Sequence, residues 1–128
     1  DKFSKDAQVG KATDKEGIPD GWMGLDAGEE SRKLFADAIK KSKTILWNGP
    51  AGVFEFPNFA NGSKAMLDAC LEAEKNGSTV IVGGGDSATL VAQNNAEDQI
   101  SHCSTGGGAS LELLEGKTLP GVAELSSK

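Results

Sequence analysis

Several features that would assign this chain to a familiar class are scarce or absent. It has two cysteines, Cys70 and Cys103, too few for a disulfide scaffold and without the spacing of metal ligands. No apolar run is long enough to cross a membrane, and no charged segment followed by an apolar stretch opens the chain as a secretion signal would. We therefore expect two reduced, packed thiols in a cytoplasmic protein with no membrane partner.

Basic residues are also in the minority. The chain has 13 Lys and Arg residues against 19 Asp and Glu, for a net charge of -6. Proteins that bind nucleic acid generally need a basic face, so we expect no nucleic-acid partner. A nucleotide is still possible, because backbone amides, helix N-termini and a metal ion can hold phosphate. The only histidine, His102, has no acid or cysteine paired with it by spacing. We interpret it as a strand residue rather than a catalytic base.

Glycine, in contrast, is abundant, and its 17 residues cluster where strands should end. We expect strands at 44–47, 79–82 and 99–103. We expect one helix that begins at Glu29 and three more at about 59–75, 87–95 and 109–115. The first two strands are apolar without alternation, which is typical of strands buried on both faces. In the first helix, Leu34, Phe35, Ala38 and Ile39 share one face. This repeated β-loop-α pattern predicts an α/β fold with a parallel sheet.

Ligands of such sheets bind beyond the carboxyl ends of the strands, and here all three ends carry glycine-rich loops. In the second loop, 83–87, three glycines allow a sharp turn and leave amides at a helix N-terminus, which attracts phosphate. Asp86 suits a Mg²⁺ ion that bridges phosphate oxygens, and Ser87 can donate its hydroxyl. The alternative is that Asp86 only caps its helix. Neither the Walker A nor the Gly-x-Gly-x-x-Gly motif is present.

The first and third loops have complementary chemistry. In the first, the amide of Asn48 can donate to a phosphate, Val53 and Phe54 offer apolar surface, and Glu55 could accept hydrogen bonds from a sugar. The alternatives are that Phe54 lies in the core and Glu55 is a solvated charge. The third loop, 104–110, contains no charged residue. Its amides and the following helix dipole suit a phosphoryl group in transfer, although a tight packing turn is the alternative.

Taken in order, these motifs resemble the phosphoglycerate kinase family. The stretches that carry the resemblance are 21–26 (GWMGLD), 45–50 (ILWNGP), 52–55 (GVFE), 83–86 (GGGD), 101–102 (SH), 104–112 (STGGGASLE), 114–117 (LEGK) and 119–122 (LPGV). They are spread over essentially the whole chain. The resemblance implies reversible phosphoryl transfer between 1,3-bisphosphoglycerate and Mg-ADP, which gives 3-phosphoglycerate and Mg-ATP.

The resemblance also implies individual roles. Asp86 would bind the Mg²⁺ of the nucleotide, and its phosphates would be bound by Gly84, Gly85, Ser87 and Asn48, the last through a single phosphate oxygen. Glu55 would bind the ribose, and the nucleoside would lie near Gly49, Ala51, Val53 and Phe54. The catalytic residues that act on the transferring group would be Gly106, Gly107 and Gly108. Two positions depart from the family pattern. Ser87 stands where threonine is usual and keeps the hydroxyl, whereas Ala51 stands where a larger aliphatic residue is common and would loosen the adenosine contact.

Finally, the resemblance places residues 1–128 in the C-terminal nucleotide-binding domain of a two-domain kinase, as part of a three-layer αβα, Rossmann-like parallel sheet. The N-terminal substrate domain would be absent. We therefore expect an uncovered apolar sheet edge, no kinase activity and weak nucleotide binding from the chain alone. The intact enzyme is expected to be monomeric. The competing hypotheses are a dehydrogenase half-domain and a non-catalytic interaction fragment.

Overall fold

Helices and strands alternate from Glu29 onward in the computed structural model, which describes residues 1–127. The elements are α1 (Glu29–Lys41), β1 (Thr44–Asn48), α2 (Asn61–Lys75), β2 (Thr79–Gly83), α3 (Gly85–Gln93), β3 (His102–Ser104), α4 (Gly107–Leu114) and α5 (Pro120–Ala123), with short 3₁₀ helices at Pro57–Phe59 and Glu97–Gln99. Residues 1–28 contain neither helix nor strand. Within the described chain, none of the helices has the length and apolar character needed to span a bilayer.

The three strands form one parallel sheet in the order β1-β2-β3. Helices follow each strand, so the predicted α/β fold is confirmed. The register pairs Asn48 of β1 with Gly83 of β2, and Gly83 in turn with Ser104 of β3. These three residues are the last of their strands. All three strands therefore end at the same level, and their loops start side by side.

The core lies on one face of this sheet. Its main members are Ile45 and Trp47 of β1, Val80 and Val82 of β2, Leu67 and Cys70 of α2, and Leu90 and Val91 of α3. The strand residues that point to the opposite face, Leu46 and Ile81, are only half-buried. Burial on both faces was predicted for these strands, and in this chain it is complete on one face only.

Helix α1 has acidic residues in its first turn and basic residues in its last, but most of its apolar face is uncovered. Leu34 is 69% exposed and Phe35 43% exposed, and only Ile39 packs against the core. The apolar face predicted for α1 is therefore wider than the part of the helix that contacts α2. Near that contact, Lys40 of α1 forms an ion pair with Glu72 of α2 at 2.8 Å, and this partner raises the pKa of Lys40. The open face and the unpaired edge of β1 are the uncovered apolar surfaces that the sequence predicts.

The third strand begins later than predicted. Gln99 belongs to a 3₁₀ helix, and the ladder starts at His102. The hydroxyl of Ser101 accepts a hydrogen bond from the Val80 amide at 3.1 Å and donates to Glu74 at 2.7 Å. Side-chain bonds therefore hold the chain beside β2 before backbone pairing begins, and hydrophobic patterning does not report such bonds.

Both cysteines are free thiols, as predicted. Cys70 is fully buried, and burial raises the pKa of its thiol to about 11. Cys103 is half-buried, and burial together with the negative charge of Glu97 raises its pKa as well. Because the thiolate is the reactive form, neither cysteine should behave as a reactive thiol at neutral pH.

Alkylation with iodoacetamide tests this packing. At pH 8 a free cysteine is roughly one quarter thiolate, whereas a thiol with a pKa near 11 is about 0.1% thiolate. We expect Cys70 to react at least about 100-fold more slowly than an unstructured cysteine, and the rate to rise as the pH is raised towards 11. Peptide mass spectrometry after timed quenching measures both sites, with the urea-unfolded chain as the reference. Equal rates for Cys70 in the folded and unfolded chain would contradict the packing.

Candidate functional site at the carboxyl edge of the sheet

The three glycine-rich loops meet at one edge of the sheet, as the sequence predicts. Because Asn48, Gly83 and Ser104 are paired across the strands, the loops after them begin at neighbouring positions. The Gly84 amide extends the ladder by donating to the Ser104 carbonyl at 2.9 Å. The candidate site is thus a continuous row formed by the backbone of three adjacent loops, and not three separate turns.

Gly84 and Gly107 touch each other at the centre of this row. A Cβ added to Gly107 would lie 2.8 Å from the Gly84 Cα and 2.9 Å from the Gly84 nitrogen. Gly84 has φ +100°, a conformation that favours glycine. The Asn48 side chain lies beside both, and its amide donates to the Gly107 carbonyl at 3.4 Å. Gly107 is buried, so its lack of a side chain is needed for the two loops to approach.

The start of α3 presents free backbone donors. Its first helical hydrogen bond runs from the Ala88 amide to the Gly84 carbonyl. The amides of Gly85, Asp86 and Ser87 therefore have no partner within the helix. The Gly84 amide, in contrast, is already bonded to Ser104. The amides available to a bound phosphate are therefore those of residues 85–87, whereas Gly84 forms the turn between β2 and α3.

Asp86 is exposed in the first turn of α3. The residue at the N-cap position is Gly84, and no side chain makes a capping hydrogen bond to the helix. The alternative that Asp86 serves only as a cap is therefore wrong. Its carboxylate points to no partner among the described residues, which leaves it available to a ligand.

The start of α4 repeats the arrangement beside α3. Its first helical bond runs from the Ser110 amide to the Gly106 carbonyl, which leaves the amides of Gly107, Gly108 and Ala109 without a helical partner. The Gly106 amide donates to the Ser104 hydroxyl at 3.0 Å. Two helix N-termini, each with partial positive charge, thus converge where Gly84 and Gly107 touch. Ala109 was not among the predicted site residues, although its amide belongs to this group.

Two predicted site residues lie inside the protein instead of facing the edge. Ser87 is 0% exposed, and its hydroxyl accepts a hydrogen bond from the Gly49 amide at 2.8 Å. In this conformation the hydroxyl holds a neighbouring loop and does not face a phosphate. Phe54 is buried in the core, so the core alternative applies to it. Asn48 and Glu55 are exposed, and Val53 is half-buried.

The charge of the three loops limits what they can bind. Residues 48–55, 83–87 and 104–110 contain two acids, Glu55 and Asp86, and no Lys or Arg. Among the described residues, no group of three His, Cys, Asp or Glu side chains could hold a metal by itself. Mg²⁺ commonly takes one or two protein carboxylates and completes its shell with phosphate oxygens and water. A single exposed Asp86 therefore fits a metal that arrives with a nucleotide.

A cleft of about 620 Å³ opens beside the first loop, between it and α1. Its lining is formed by Gly24, Asp26, Ala27, Ser31, Phe35, Gly49, Pro50, Ala51 and Met66. Two of the predicted nucleoside neighbours, Gly49 and Ala51, border it, whereas Val53, Phe54 and Glu55 do not. Phe35 and Met66 were missed, because each reads in the sequence as an ordinary apolar residue of a helix. The available signals were Gly24 and Asp26, within the matched stretch 21–26, and Pro50, within the matched stretch 45–50.

The single histidine lies in a strand, as predicted, and the tryptophan of β1 is buried. His102 is an exposed residue of β3. Trp47 is buried, and its indole nitrogen donates to the Gly49 carbonyl at 2.6 Å. Trp47 therefore packs in the core and also holds the start of the first loop.

Together the fold and this edge define an α/β protein in which two helix N-termini meet at the carboxyl edge of a parallel sheet. Comparison with known proteins is consistent with that class. The sequence model described as "Phosphoglycerate kinase" matches residues 1–117. The chain therefore belongs to the phosphoglycerate kinase family, whose members are named for a phosphotransferase activity.

Individual curated relatives match this chain in sequence over its full length. The sequence is 70% identical to the phosphoglycerate kinase of Neurospora crassa over 128 residues, which is 100% of this chain and 31% of that protein. It is 67% identical to the Schizosaccharomyces pombe enzyme with the same coverage. The solved structure of phosphoglycerate kinase from Coxiella burnetii matches 95% of this chain and 30% of that one, with a TM-score of 0.81 and 36% identity. This chain thus spans about a third of its curated relatives.

Proposed function

We propose that this chain supplies Mg-nucleotide binding and the phosphoryl-transfer turn of a phosphoglycerate kinase. The reaction would be glycolytic transfer between 1,3-bisphosphoglycerate and Mg-ADP, giving 3-phosphoglycerate and Mg-ATP. The observation that carries this proposal is the contact of Gly84 with Gly107, which brings two helix N-termini to one point. Six amides without helical partners, three from each helix, begin these two helices and would be available to the charge of a phosphoryl group.

The nucleotide phosphates would lie on the α3 side of this point. The amides of Gly85, Asp86 and Ser87 would donate to phosphate oxygens, and the exposed amide of Asn48 would contact another. Asp86 would be the protein ligand of Mg²⁺. When bound, Mg²⁺ would bridge phosphate oxygens and offset their charge. Because these loops carry no Lys or Arg, the remaining positive charge would have to come from outside them.

The nucleoside would enter the cleft between α1 and the first loop. Its volume, about 620 Å³, lies in the range of pockets that take small ligands. Phe35, Met66 and Pro50 give it an apolar lining suited to a purine base. Glu55 would hold the ribose from the exposed end of the same loop.

The transferring group would face the start of α4. The amides of Gly107, Gly108 and Ala109 would donate to its equatorial oxygens, which carry charge in the transition state. Such donors need no reorientation during the reaction, because Gly106 and Ser110 hold the turn. The Gly106 amide bonds Ser104, and the Ser110 hydroxyl donates to the Gly106 carbonyl at 2.9 Å.

Residues 1–128 would form part of the C-terminal nucleotide-binding domain of a two-domain, monomeric, cytoplasmic enzyme. The acidic substrate would be held by the N-terminal domain. The 128-residue chain by itself is then expected to show no turnover and weak Mg-ADP binding. This expectation follows from the open apolar surfaces at Leu34, Phe35 and the edge of β1.

A chimeric kinase tests the proposal. It consists of the Neurospora crassa enzyme in which the 128 matching residues are replaced by this chain. We expect turnover of 3-phosphoglycerate and Mg-ATP within about tenfold of the parent, since all predicted nucleotide contacts are present. A coupled assay of ADP formation measures it. The parent enzyme truncated before this segment is the control and should be inactive. A folded chimeric kinase without turnover would contradict the proposed function.

A further inference from the structure

Two buried serine hydroxyls accept hydrogen bonds from the backbone of the first loop, at residues 49–52. The Gly49 amide donates to Ser87 at 2.8 Å, and the Ala51 and Gly52 amides donate to Ser63 at 3.0 and 3.3 Å. Pro50, between them, has no amide hydrogen. Every backbone donor from residue 49 to residue 52 therefore ends on a serine side chain.

Both serines are fully buried, at 0% exposure. Each is the third residue of its helix, Ser63 in α2 and Ser87 in α3. A hydroxyl oxygen can accept two hydrogen bonds, which matches the two amides that Ser63 receives. Ser63 cannot touch a ligand in this conformation. It can act only through the loop whose position it determines.

The start of α2 is in turn fixed to the opposite wall of the cleft. Both carboxylate oxygens of Asp26 accept from the Gly62 amide, at 3.0 and 2.9 Å, and one of them also accepts from Ala27 at 2.8 Å. Ser63 directly follows Gly62. A connected set of bonds therefore runs from Asp26 on one wall, through the first turn of α2, to Ala51 on the other.

We propose that Ser63 is a positioning residue for nucleotide binding, because it sets the width of the cleft by holding Ala51 and Gly52. This inference rests on the proposed function, in which the cleft receives the nucleoside. Without the Ser63 acceptor, the two half-buried amides of Ala51 and Gly52 lose their partners, and the loop is expected to move so that water can reach them. Contacts to the nucleoside would then be lost, while the binding of the acidic substrate to the other domain would be untouched.

The test is Ser63→Ala in the chimeric kinase. We expect the KM for Mg-ATP to rise about tenfold, as follows from losing two loop anchors. The KM for 3-phosphoglycerate should stay within about twofold, because that substrate is bound elsewhere. This split separates positioning from general destabilisation, which would lower the amount of active enzyme without changing either KM.

Ser101→Ala is the matched control. The Ser101 hydroxyl also accepts from a backbone amide, that of Val80, and donates to Glu74, but it lies before β3 at the other end of the strand. Its loss should lower stability with no change in the KM for Mg-ATP. An equal rise of the KM for Mg-ATP in both variants, or no rise of this KM in Ser63→Ala, would overturn the proposed role of Ser63. An unsubstituted chimeric kinase without turnover would instead overturn the proposed function, and this inference with it.

Hydrogen exchange keeps the inference testable if Ser63→Ala does not fold. In the unsubstituted chimeric kinase, the amides of Ala51 and Gly52 should exchange slowly although they lie in a loop, because Ser63 holds them. The Gly108 amide, which has no helical partner, is the internal reference for fast exchange. Exchange of Ala51 and Gly52 at the rate of Gly108 would overturn the proposal, and clear protection would support it.

Discussion

Replacing Asp86 with asparagine is expected to lower the turnover number of the chimeric kinase by about 100-fold or more. Asp86 is exposed in the first turn of α3 and makes no capping bond, so its charge supports the fold only through the dipole of α3, by about 0.3–1 kcal/mol. Asparagine keeps the shape of the side chain but removes the negative charge that Mg²⁺ prefers. The effect should appear in kcat at saturating Mg-ATP, measured by the coupled assay.

Asp68→Asn provides the matched comparison. Asp68 is an exposed aspartate on α2 with no predicted role at the site, and its substitution should leave kcat unchanged. Asp68→Asn should unfold at the same urea concentration as the parent chimeric kinase, and the stability of Asp86→Asn should lie within about 1 kcal/mol of the parent. Retention of more than half of kcat in Asp86→Asn would contradict the assignment of Asp86 to Mg²⁺. A loss of stability well above about 1 kcal/mol in Asp86→Asn would show that the carboxylate serves the fold instead.

Replacing Gly107 with alanine is expected to destabilise the chimeric kinase by about 1–3 kcal/mol and to reduce its turnover. The new methyl group would lie 2.8 Å from the Gly84 Cα and 2.9 Å from its nitrogen. Both are backbone atoms of the adjacent loop, so no side-chain rotation can relieve the contact. The two helix N-termini must then separate, and their amides no longer converge on one phosphoryl group. Urea unfolding and kcat measure the two consequences.

Gly108→Ala separates the steric effect from the loss of a glycine. Gly108 is the next residue of the same helix turn, and among the described residues a Cβ there would meet no atom within 4 Å apart from its chain neighbours and the backbone of its own helix. Alanine is favoured over glycine within a helix by roughly 0.5–1 kcal/mol. The stability of Gly108→Ala should therefore be unchanged or slightly higher. Equal destabilisation of both variants would show that the contact between Gly84 and Gly107 is not the reason.

Much of the site could be predicted because parallel sheets bring strand ends together. Three apolar or mixed runs followed by glycine-rich loops predict parallel strands that end at residues 47, 82 and 103. In the structure each strand ends one residue later, at Asn48, Gly83 and Ser104, and these three residues are in register. Asp86 could be proposed as a Mg²⁺ ligand because it follows three glycines at the end of an apolar strand, and that role stays a prediction. The strand before Ser104 was placed too early, because Ser101 is held by side-chain bonds that hydrophobic patterning does not report.

The sequence by itself determined the α/β class, the order of the three loops and the family. These depend on local residue choice: apolar runs make strands, and glycine clusters make turns. Tertiary structure alone decided which glycine is needed for close approach, that Ser87 faces Gly49, and that Ser63 holds the first loop. It also decided that Leu34 stays exposed while Phe54 is buried. Each depends on distances between segments far apart in the chain, and such distances exist only after the segments have packed.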